Sequence, residues 1–372
     1  MDNSALLAAL RLTLVEGVGP IIRQALVQRF GSPSAVFQAA PNQLREVPGV
    51  GPKVLNALLQ ARHSTAAEEE LALCREQKVG LVVPEDAEYP RPLSRIPDPP
   101  GVMFQRGAWL PGDELSIAIV GTRHASPYGL RVAERLSGAL ARAGYTIVSG
   151  LARGIDAIAH RGALAAGGRT VAVLGSGVLK VYPPENKALA EEIVANGSLM
   201  SESPPNMPPL GYAFPQRNRI ITGLCLGVVI VEAGDHSGAL ISARHAMEQG
   251  REVFAVPGSI ESVSSRGCHR LIRDGAKLVE SAEDILEELG PLAAPTPHTA
   301  PDAQEVAVRH PVELQLNEPE RQVLAAVPTE TGTVDNVIVT SGLPAHRVLA
   351  VLSVLEMKKL IRRVSGNLVV RL

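Results

Sequence analysis

Short apolar runs alternate with helical patterns between residues 117 and 289, and this alternation constrains the fold more than any other feature of the sequence. The runs have no polar face, which is typical of strands that are covered by helices on both sides of a parallel sheet. We therefore predict an α/β fold, a Rossmann-like doubly wound domain with a mostly parallel sheet. The predicted strands are 79–83, 102–105, 117–120, 145–149, 170–174, 199–201, 228–231, 252–256 and 277–279, and the predicted helices are 129–143, 156–166, 186–196, 238–249 and 282–289.

The regions on either side of this sheet predict further domains. Residues 1–75 are expected to form a helical domain of the helix-hairpin-helix or SAM-like type, and residues 76–290 the Rossmann-like domain. Prolines punctuate a proline-rich linker at 291–315. Residues 316–372 show helical patterns at 318–326, 333–340 and 344–359, followed by a hairpin at 361–371 that turns at 365–367, and these predict a winged-helix-like domain.

The sequence Gly-Val-Gly occurs twice in the first domain, at 17–19 and at 49–51, and each copy separates two apolar-periodic segments. Glycine permits such a tight turn, and its amides can meet a DNA phosphate without reading the base sequence. Lys53 favours a DNA contact at the second turn. A compact helical domain without DNA contacts fits the same pattern equally well.

The predicted strand at 117–120 ends in a glycine turn, and a helical pattern begins near Pro127. A strand, turn and helix of this kind direct backbone N–H groups and the positive end of a helix dipole at one point outside the sheet, which favours phosphate. Arg123 lies in the turn, and its planar guanidinium can donate two hydrogen bonds to a phosphodiester. We predict an anion site at Gly121, Thr122 and Arg123.

Small residues also follow the other predicted strands. Ligands of such sheets bind outside the carboxyl ends of the strands, so these segments are expected to form one rim. The net charge of −2 requires any nucleic-acid site to be a local basic patch. A groove of backbone amides with a few cations would accept a negatively charged chain. The rim candidates beyond the first turn are Ser149, Gly150, Arg153, Lys180, Gly234, Ser237 and Gly238.

The segment Phe-Pro-Gln-Arg-Asn-Arg at 214–219 follows a proline-rich loop and opens another helical run. It offers Arg217 and Arg219 for phosphates, a ring on Phe214 for stacking and the amide of Asn218, which are the groups that a single-strand binder needs. Aromatic residues make up only 3% of the chain. In the alternative interpretation, one of the two arginines pairs with Glu202 or Glu232, and only the other is free.

Several enzyme signatures are missing from the sequence. The turn at 121–129 lacks two glycines of GxGxxG, and Ser149 stands where a dinucleotide-binding domain has an acid. There is no P-loop and no CxxC pair, and we expect no cofactor and no metal. Asp156 and His160 lie four residues apart on one predicted helix, and we favour a structural role for them. Glu202 and Glu232 are the better candidates for acid chemistry, with hydrogen bonding to rim amides as the alternative.

Taken together, the motifs resemble the bacterial DNA-processing protein A (DprA or Smf) family. They include GTR at 121–123, SGLARGID at 149–156, VYPPEN at 181–186, FPQRNR at 214–219 and EAGDHSGAL at 232–240, and the resemblance covers about 89–289. It implies a protein without catalysis that binds single-stranded DNA, protects incoming DNA in natural transformation and loads the recombinase RecA. The implied binding residues are Gly121, Thr122, Arg123, Phe214, Arg217, Asn218 and Arg219. His124 and Gln216 depart from the family pattern.

Two other classes of function stay open. A nucleotide phosphoribohydrolase of the lysine-decarboxylase-like type shares a related sheet, and Glu232-Ala233-Gly234 loosely resembles its motif. A protein-binding scaffold is the third class, and His346, Arg347, Arg362 and Arg363 of the C-terminal domain fit DNA or protein contacts equally well.

The location and assembly of the protein are also expectations. Three isolated cysteines fit a reducing cytoplasm, and no apolar stretch approaches membrane-spanning length. One groove with few cations attracts a polyanion weakly, so we expect a homodimer through the Rossmann-like domain that engages one strand with both copies. The resemblance implies a homodimer too. We place its interface on apolar helix positions within 238–275.

Overall fold

The computed structural model describes residues 3–290, 318–328, 332–357, 360–364 and 368–371. The chain divides into two units, one of Met1–Ala141 and Tyr145–Leu289 and the other of Arg142–Gly144 and Gly290–Leu372. The predicted linker at 291–315 and the predicted hairpin turn at 365–367 lie outside the described residues. Among the helices in the described ranges, none is both long and apolar enough to cross a lipid bilayer.

Six helices precede the sheet in the first unit. The two Gly-Val-Gly turns have matching geometry, because Gly17 and Gly49 have φ of 85° and 89° and a proline begins the helix after each turn. Lys53, after the second turn, forms an ion pair of 2.6 Å with Glu16 beside the first. The six helices are α1 (Asn3–Thr13), α2 (Pro20–Phe30), α3 (Pro33–Gln38), α4 (Pro41–Arg45), α5 (Pro52–Ala61) and α6 (Ala66–Glu76).

The predicted sheet is present, with nine strands in the order β1-β2-β6-β5-β4-β3-β7-β8-β9. All neighbours from β6 to β9 pair in parallel, and β2 pairs antiparallel with both β1 and β6. The strands are β1 (Gly80–Val82), β2 (Met103–Gly107), β3 (Ser116–Val120), β4 (Thr146–Ser149), β5 (Thr170–Val173), β6 (Gly197–Ser201), β7 (Gly227–Ile230), β8 (Glu252–Ala255) and β9 (Lys277–Leu278).

The strand order reverses beside β3. The chain runs outward from β3 through β4 and β5 to β6 and then returns to the other side of β3 for β7. In register, Ala118 of β3 lies between Val148 of β4 and Val228 of β7. Such a reversal separates the loops at the carboxyl ends of the two central strands and leaves a crevice between them. This crevice positions the candidate site.

Helices cover both faces of the sheet, as the apolar runs predict. Val171 and Val173 of β5 contribute to one apolar cluster, and Ala172 contributes to the other, because alternate residues of a strand point to opposite faces. Leu10 of α1 and Leu71 of α6 belong to the second cluster, so the N-terminal helices pack against the sheet. The helices of this region are α7 (Arg91–Ser94), α8 (Pro127–Arg142), α9 (Ile155–Ala165), α10 (Lys187–Asn196), α11 (Ala213–Leu224), α12 (Ala239–Glu248), α13 (Arg266–Arg273) and α14 (Ala282–Leu289).

The second unit has the predicted winged-helix arrangement of three helices and a hairpin. The helices are α15 (Glu318–Ala326), α16 (Val334–Ser341) and α17 (Ala345–Met357). Strands β11 (Ile361–Val364) and β12 (Leu368–Arg371) pair antiparallel, and β10 (Gly332–Thr333) adds a third strand beside β12. Val337, Leu352 and Val369 lie in its core. Arg347 is exposed at the start of α17.

Candidate functional site

A groove with a volume of about 710 Å³ opens in the crevice between β3 and β7. Two of its walls are residues 120–124, at the end of β3 and just after it, and residues 234–239, which follow β7. One side of α11 forms the third, with Phe214, Arg217 and Asn218 among the lining residues. The groove therefore joins the turn and the Phe-Pro-Gln-Arg-Asn-Arg segment, which are about ninety residues apart in the sequence.

Arg123 lies against an aromatic pair at this groove. Its guanidinium carbon is 5.5 Å from the ring centroid of Phe214, within the range of a cation–π contact. The ring of Tyr182 lies on Phe214 as well, with 5.7 Å between centroids and 50° between planes. A Cβ on Gly175 would come within 2.9 Å of the Phe214 ring, so a glycine at this position leaves room for the ring. The arrangement offers a cation and two partly exposed rings at one point of the groove.

The start of α8 differs from our prediction of a free anion site. The Glu232 carboxylate occupies it, because Oε2 accepts a hydrogen bond of 2.8 Å from the Ser126 amide and Oε1 accepts one of 2.6 Å from the Ser126 hydroxyl. Thr122 also donates its amide to the Glu232 carbonyl. The buried Glu232 carboxylate therefore takes the hydrogen-bond donors of Ser126 at the helix start, and an anion at this turn would depend on the Arg123 side chain. The anion site at Gly121, Thr122 and Arg123 stays a prediction.

Arg217 is buried beneath the groove, although it also touches the groove lining. Its guanidinium donates to the Val173 carbonyl and, at 2.8 Å, to the Gly150 carbonyl, so it joins the ends of β4 and β5. Burial lowers the pKa of Arg217 to about 10, and the Asp156 carboxylate opposes that shift. The side chain therefore stays cationic at neutral pH and contributes its charge from below the surface.

The loop after β4 is held in a strained conformation. Leu151 has φ of 56°, a region that residues other than glycine rarely adopt. Asp156 accepts hydrogen bonds from the Gly150 and Ala152 amides, and Asn186 donates to the Leu151 carbonyl at 2.9 Å. Burial raises the pKa of Asp156, while Arg217 and the two amides oppose the shift. These contacts hold the loop in place, which agrees with the structural role that we favoured for Asp156.

Arg219 does not line the groove and instead joins a partly buried charge cluster. It pairs with Glu202 at 2.6 Å and with Asp98 at 3.1 Å. Burial raises the pKa of Glu202, and Arg219 opposes that shift. The alternative that the sequence left open, an arginine paired with Glu202, therefore describes Arg219. Neither carboxylate candidate is free for acid chemistry, since Glu232 is bound by Ser126.

The groove does not bring all the predicted site residues together. Gly150 and Arg153 line a small pocket beside it, where Arg153 pairs with Glu185. Ser149 is buried and donates to the Ile119 carbonyl, while Lys180 is exposed and does not line the groove. Those that line the groove are Gly121, Thr122, Arg123, Phe214, Arg217, Asn218, Gly234, Ser237 and Gly238.

The groove is also lined by Tyr182, Asp235 and His236, which were not among the predicted site residues. Tyr182 could have been proposed from the sequence as a base-stacking residue, because it is an aromatic residue in an aromatic-poor chain and closely follows the predicted strand 170–174. His236 lies within the rim segment that the sequence had already singled out. His236 lies beside the groove because β7 pairs with β3, and this pairing cannot be inferred from the residue pattern.

His160 is a buried neutral residue. Its Nδ1 lies 2.6 Å from the Thr170 hydroxyl, which itself donates to the Ile147 carbonyl, so Nδ1 is the donor and Nε2 is unprotonated. Burial lowers the pKa of His160 to about 3. Within the described ranges, no group of three or more His, Cys, Asp or Glu side chains is arranged to hold a metal ion.

Three family models match consecutive parts of the chain. The DNA recombination-mediator protein A model matches residues 80–290, and a DprA winged-helix domain model matches residues 290–367. A SAM-like helix-hairpin-helix tandem model matches residues 9–63. The order agrees with the three structural regions described above.

Similar proteins include the Smf protein of Synechocystis, which is 35% identical over 98% of this chain and 98% of its own length. The DNA processing protein DprA of Bacillus subtilis is 46% identical over 59% of this chain and 74% of its own. Two solved structures of DNA processing protein A are similar as well. That of Streptococcus pneumoniae has a TM-score of 0.65 and 37% identity over 75% of this chain and 95% of its own, and that of Helicobacter pylori has a TM-score of 0.51 and 30% identity over 57% and 95%. The chain belongs to the DNA recombination-mediator protein A (DprA or Smf) family.

Proposed function

We propose that this chain binds single-stranded DNA in the groove, without sequence preference and without catalysis. Arg123 would contact a backbone phosphate, and the rings of Phe214 and Tyr182 would contact bases. The other proposed contacts are Gly121, Thr122, Asn218, Gly234, Ser237 and Gly238. Ser149, Gly150 and Arg217 would hold the groove in shape, Arg219 would support α11, and Arg153 and Lys180 would attract the strand from its margins.

The observation that carries the proposal is the arrangement of Arg123, Phe214 and Tyr182 at one point of an open groove. A phosphate needs a cation, and an unpaired base needs a flat apolar face. The Arg123 guanidinium and the Phe214 ring supply these two groups, close enough together for one nucleotide to contact both. A duplex hides its base faces and would use only the cation. The relatives support the same proposal, because the Helicobacter pylori protein was described for its single-stranded DNA binding mode.

We extend the proposal to the biological setting of the family. Relatives are DNA processing proteins, and the sequence resemblance implies that they protect incoming DNA in natural transformation. Loading of the recombinase RecA, a homodimer and a cytoplasmic location belong to the same proposal. The RecA step is tested by following filament assembly on single strands that a single-strand-binding protein has already covered.

The phosphoribohydrolase alternative has less support. Its catalytic acid would be Glu232, whose carboxylate accepts hydrogen bonds from Ser126 and Ser264 and is buried beneath the turn. A general acid must reach the leaving group of the substrate. Incubation with nucleoside monophosphates tests this alternative directly, and release of free base would contradict the absence of catalysis.

Binding is tested by anisotropy with labelled single strands of different sequence and with a blunt duplex, over a range of salt. We expect similar affinity for all single strands, weaker binding to the duplex, and a slope of log K against log salt near −0.7 for each phosphate neutralised. A salt-independent affinity, or equal affinity for the duplex, would contradict the proposal.

A further inference from the structure

Two histidines line the groove, one on each of the walls that follow β3 and β7. His124 comes directly after Arg123, and His236 lies within the wall 234–239. The Thr122 amide donates to the Glu232 carbonyl at 2.8 Å, so the two walls are joined at their base. Both histidines are exposed. A strand that occupies the groove therefore passes beside both of them.

The formal charges of the groove lining cancel when these histidines are neutral. Among the described residues that line the groove, Arg123 and Arg217 supply two positive charges, and Asp156 and Asp235 supply two negative charges. Histidine is the side chain whose charge ordinarily changes between pH 5 and 8. Protonation of both imidazoles gives the lining an excess of two positive charges. The histidines thus decide whether the lining as a whole attracts a polyanion.

Both imidazoles are available for a ligand. Neither ring has a hydrogen-bond or ion-pair partner among the residues that the structure describes. A protonated imidazole has two N–H donors, and its hydrogen bond to a phosphate oxygen is charge-assisted. The charged and titratable groups that line the groove with the rings, or lie beneath or beside it, are Arg123 after β3, Asp156 after β4, Tyr182 after β5, Arg217 on α11, Glu232 and Asp235 after β7, and Arg270 on α13.

We propose that His124 and His236 form a phosphate-binding subsite of the groove, which takes up protons from the solvent when single-stranded DNA binds. This inference rests on the proposed function, because the ligand is the strand that the groove holds. A phosphate beside an imidazole favours its charged form, and by linkage a lower pH then favours binding. The arginine contacts do not change over the same pH range. DNA affinity therefore acquires a pH dependence that these two residues supply.

The test compares the full-length protein with His124→Gln, His236→Gln and the double variant, at about pH 8 and about pH 6. The probe is a labelled oligothymidine of about 15 nucleotides, measured over a range of salt. We expect the wild type to bind about tenfold more tightly at the lower pH, about threefold from each histidine, with a salt slope steeper by about 0.7 for each. The double variant should show neither change. His63→Gln, at an exposed histidine after α5, is the matched control and should follow the wild type.

Two further measurements separate protonation from other effects of the substitutions. Calorimetry of DNA binding near pH 6.5, in buffers with different heats of ionisation, should detect proton uptake by the wild type and not by the double glutamine variant. His124→Arg/His236→Arg places permanent charges at the two positions. It should bind at about pH 8 as tightly as the wild type binds at about pH 6, and its affinity should not depend on pH.

Each contrary outcome identifies what has failed. Wild-type protein that binds the strand at neither pH would overturn the proposed function itself. Wild-type binding that is the same at both pH values would overturn the subsite alone. The subsite would also be overturned if the double glutamine variant kept the full pH dependence, which would assign the titration to another group, or if it lost affinity equally at both pH values.

Discussion

At the scale of single residues, two arginines of the groove differ in what surrounds them. Arg123 is exposed and touches a ring, whereas Arg217 is buried and donates to two strand-end carbonyls. The first can exchange water for a phosphate at little structural cost. Removal of Arg217 would leave the two carbonyls without a donor and would leave the buried Asp156 without a nearby positive charge. Both losses lower the free energy of unfolding.

We therefore expect Arg123→Ala to weaken single-strand binding by about 1–3 kcal/mol, the range for a lost charge-assisted hydrogen bond, and to leave the melting temperature unchanged. Arg217→Ala should instead lower the free energy of unfolding by about 3 kcal/mol. Anisotropy and thermal denaturation of both variants measure the two effects. An Arg123→Ala protein that binds as tightly as the wild type at moderate salt would remove this residue from the site.

His160 leads to a prediction about pH. Its pKa is about 3 in the folded chain and about 6.5 when unfolded, so between these values only the unfolded chain takes up the proton. Its contribution to stability is complete above pH 6.5 and is lost as the pH falls, by about 1.4 kcal/mol for each unit. The free energy of unfolding of the wild type should thus fall faster than that of His160→Gln below pH 6.5. Exposed His63, changed to Gln, is the control and should follow the wild type.

At the scale of secondary-structure elements, the start of α8 depends on a close approach. Gly129 lies in its first turn, and a Cβ there would come within 2.2 Å of a Glu232 carboxylate oxygen. The same carboxylate accepts hydrogen bonds from Ser126, so the glycine and the buried acid are one arrangement. At Gly238, before α12, an added Cβ would meet no atom within 4 Å, and the backbone has an ordinary helical φ of −59°.

This contrast predicts different outcomes for two glycine substitutions beside the same groove. Gly129→Ala should lower the free energy of unfolding by about 1–3 kcal/mol, because Glu232 must leave its hydrogen bonds or the helix must shift. Gly238→Ala should change it by no more than about 0.5 kcal/mol. Chemical denaturation measures both. Equal stabilities of the two variants would show that Glu232 does not fix the start of α8.

The sequence predicts the strands of the sheet well, because each is a short apolar run that needs no partner to be recognised. Helix α13 was not predicted, since it has only eight residues, and three arginines, a histidine and a glycine among them leave three apolar positions. The contacts of the site residues were harder to predict from the sequence than the strands, for a physical reason. Arg217 and Arg219 are two residues apart, and the rotation of α11 against the sheet decides which carbonyls or acids each one meets. Glu232 similarly reaches Ser126 only through the pairing of β7 with β3.

At the scale of the whole molecule, the difficulty is how a chain of net charge −2 holds a polyanion. The groove offers Arg123 as an exposed cation, and the charge of Arg217 acts from below the surface. A second copy of the chain would double these contacts on one strand, and the second contact would form at high effective concentration. The stretch in which we place the interface also exposes large apolar side chains. They are Ile241, Met247, Ile260 and Val263, with Met247 55% and Ile260 86% exposed.

We therefore expect the full-length protein to sediment as a homodimer at micromolar concentration, and Met247→Glu/Ile260→Glu to sediment as a monomer, because buried like charges would face each other across the interface. The monomer should bind a strand long enough for two grooves at least about tenfold more weakly, and a short strand as the wild type does. Ile21→Glu, which changes an exposed apolar residue of α2, is the matched control and should leave both properties unchanged. The gain on long strands that depends on dimers should also vanish on dilution of the wild type. A wild-type protein that is monomeric at every concentration and still binds long strands tightly would show that one copy suffices.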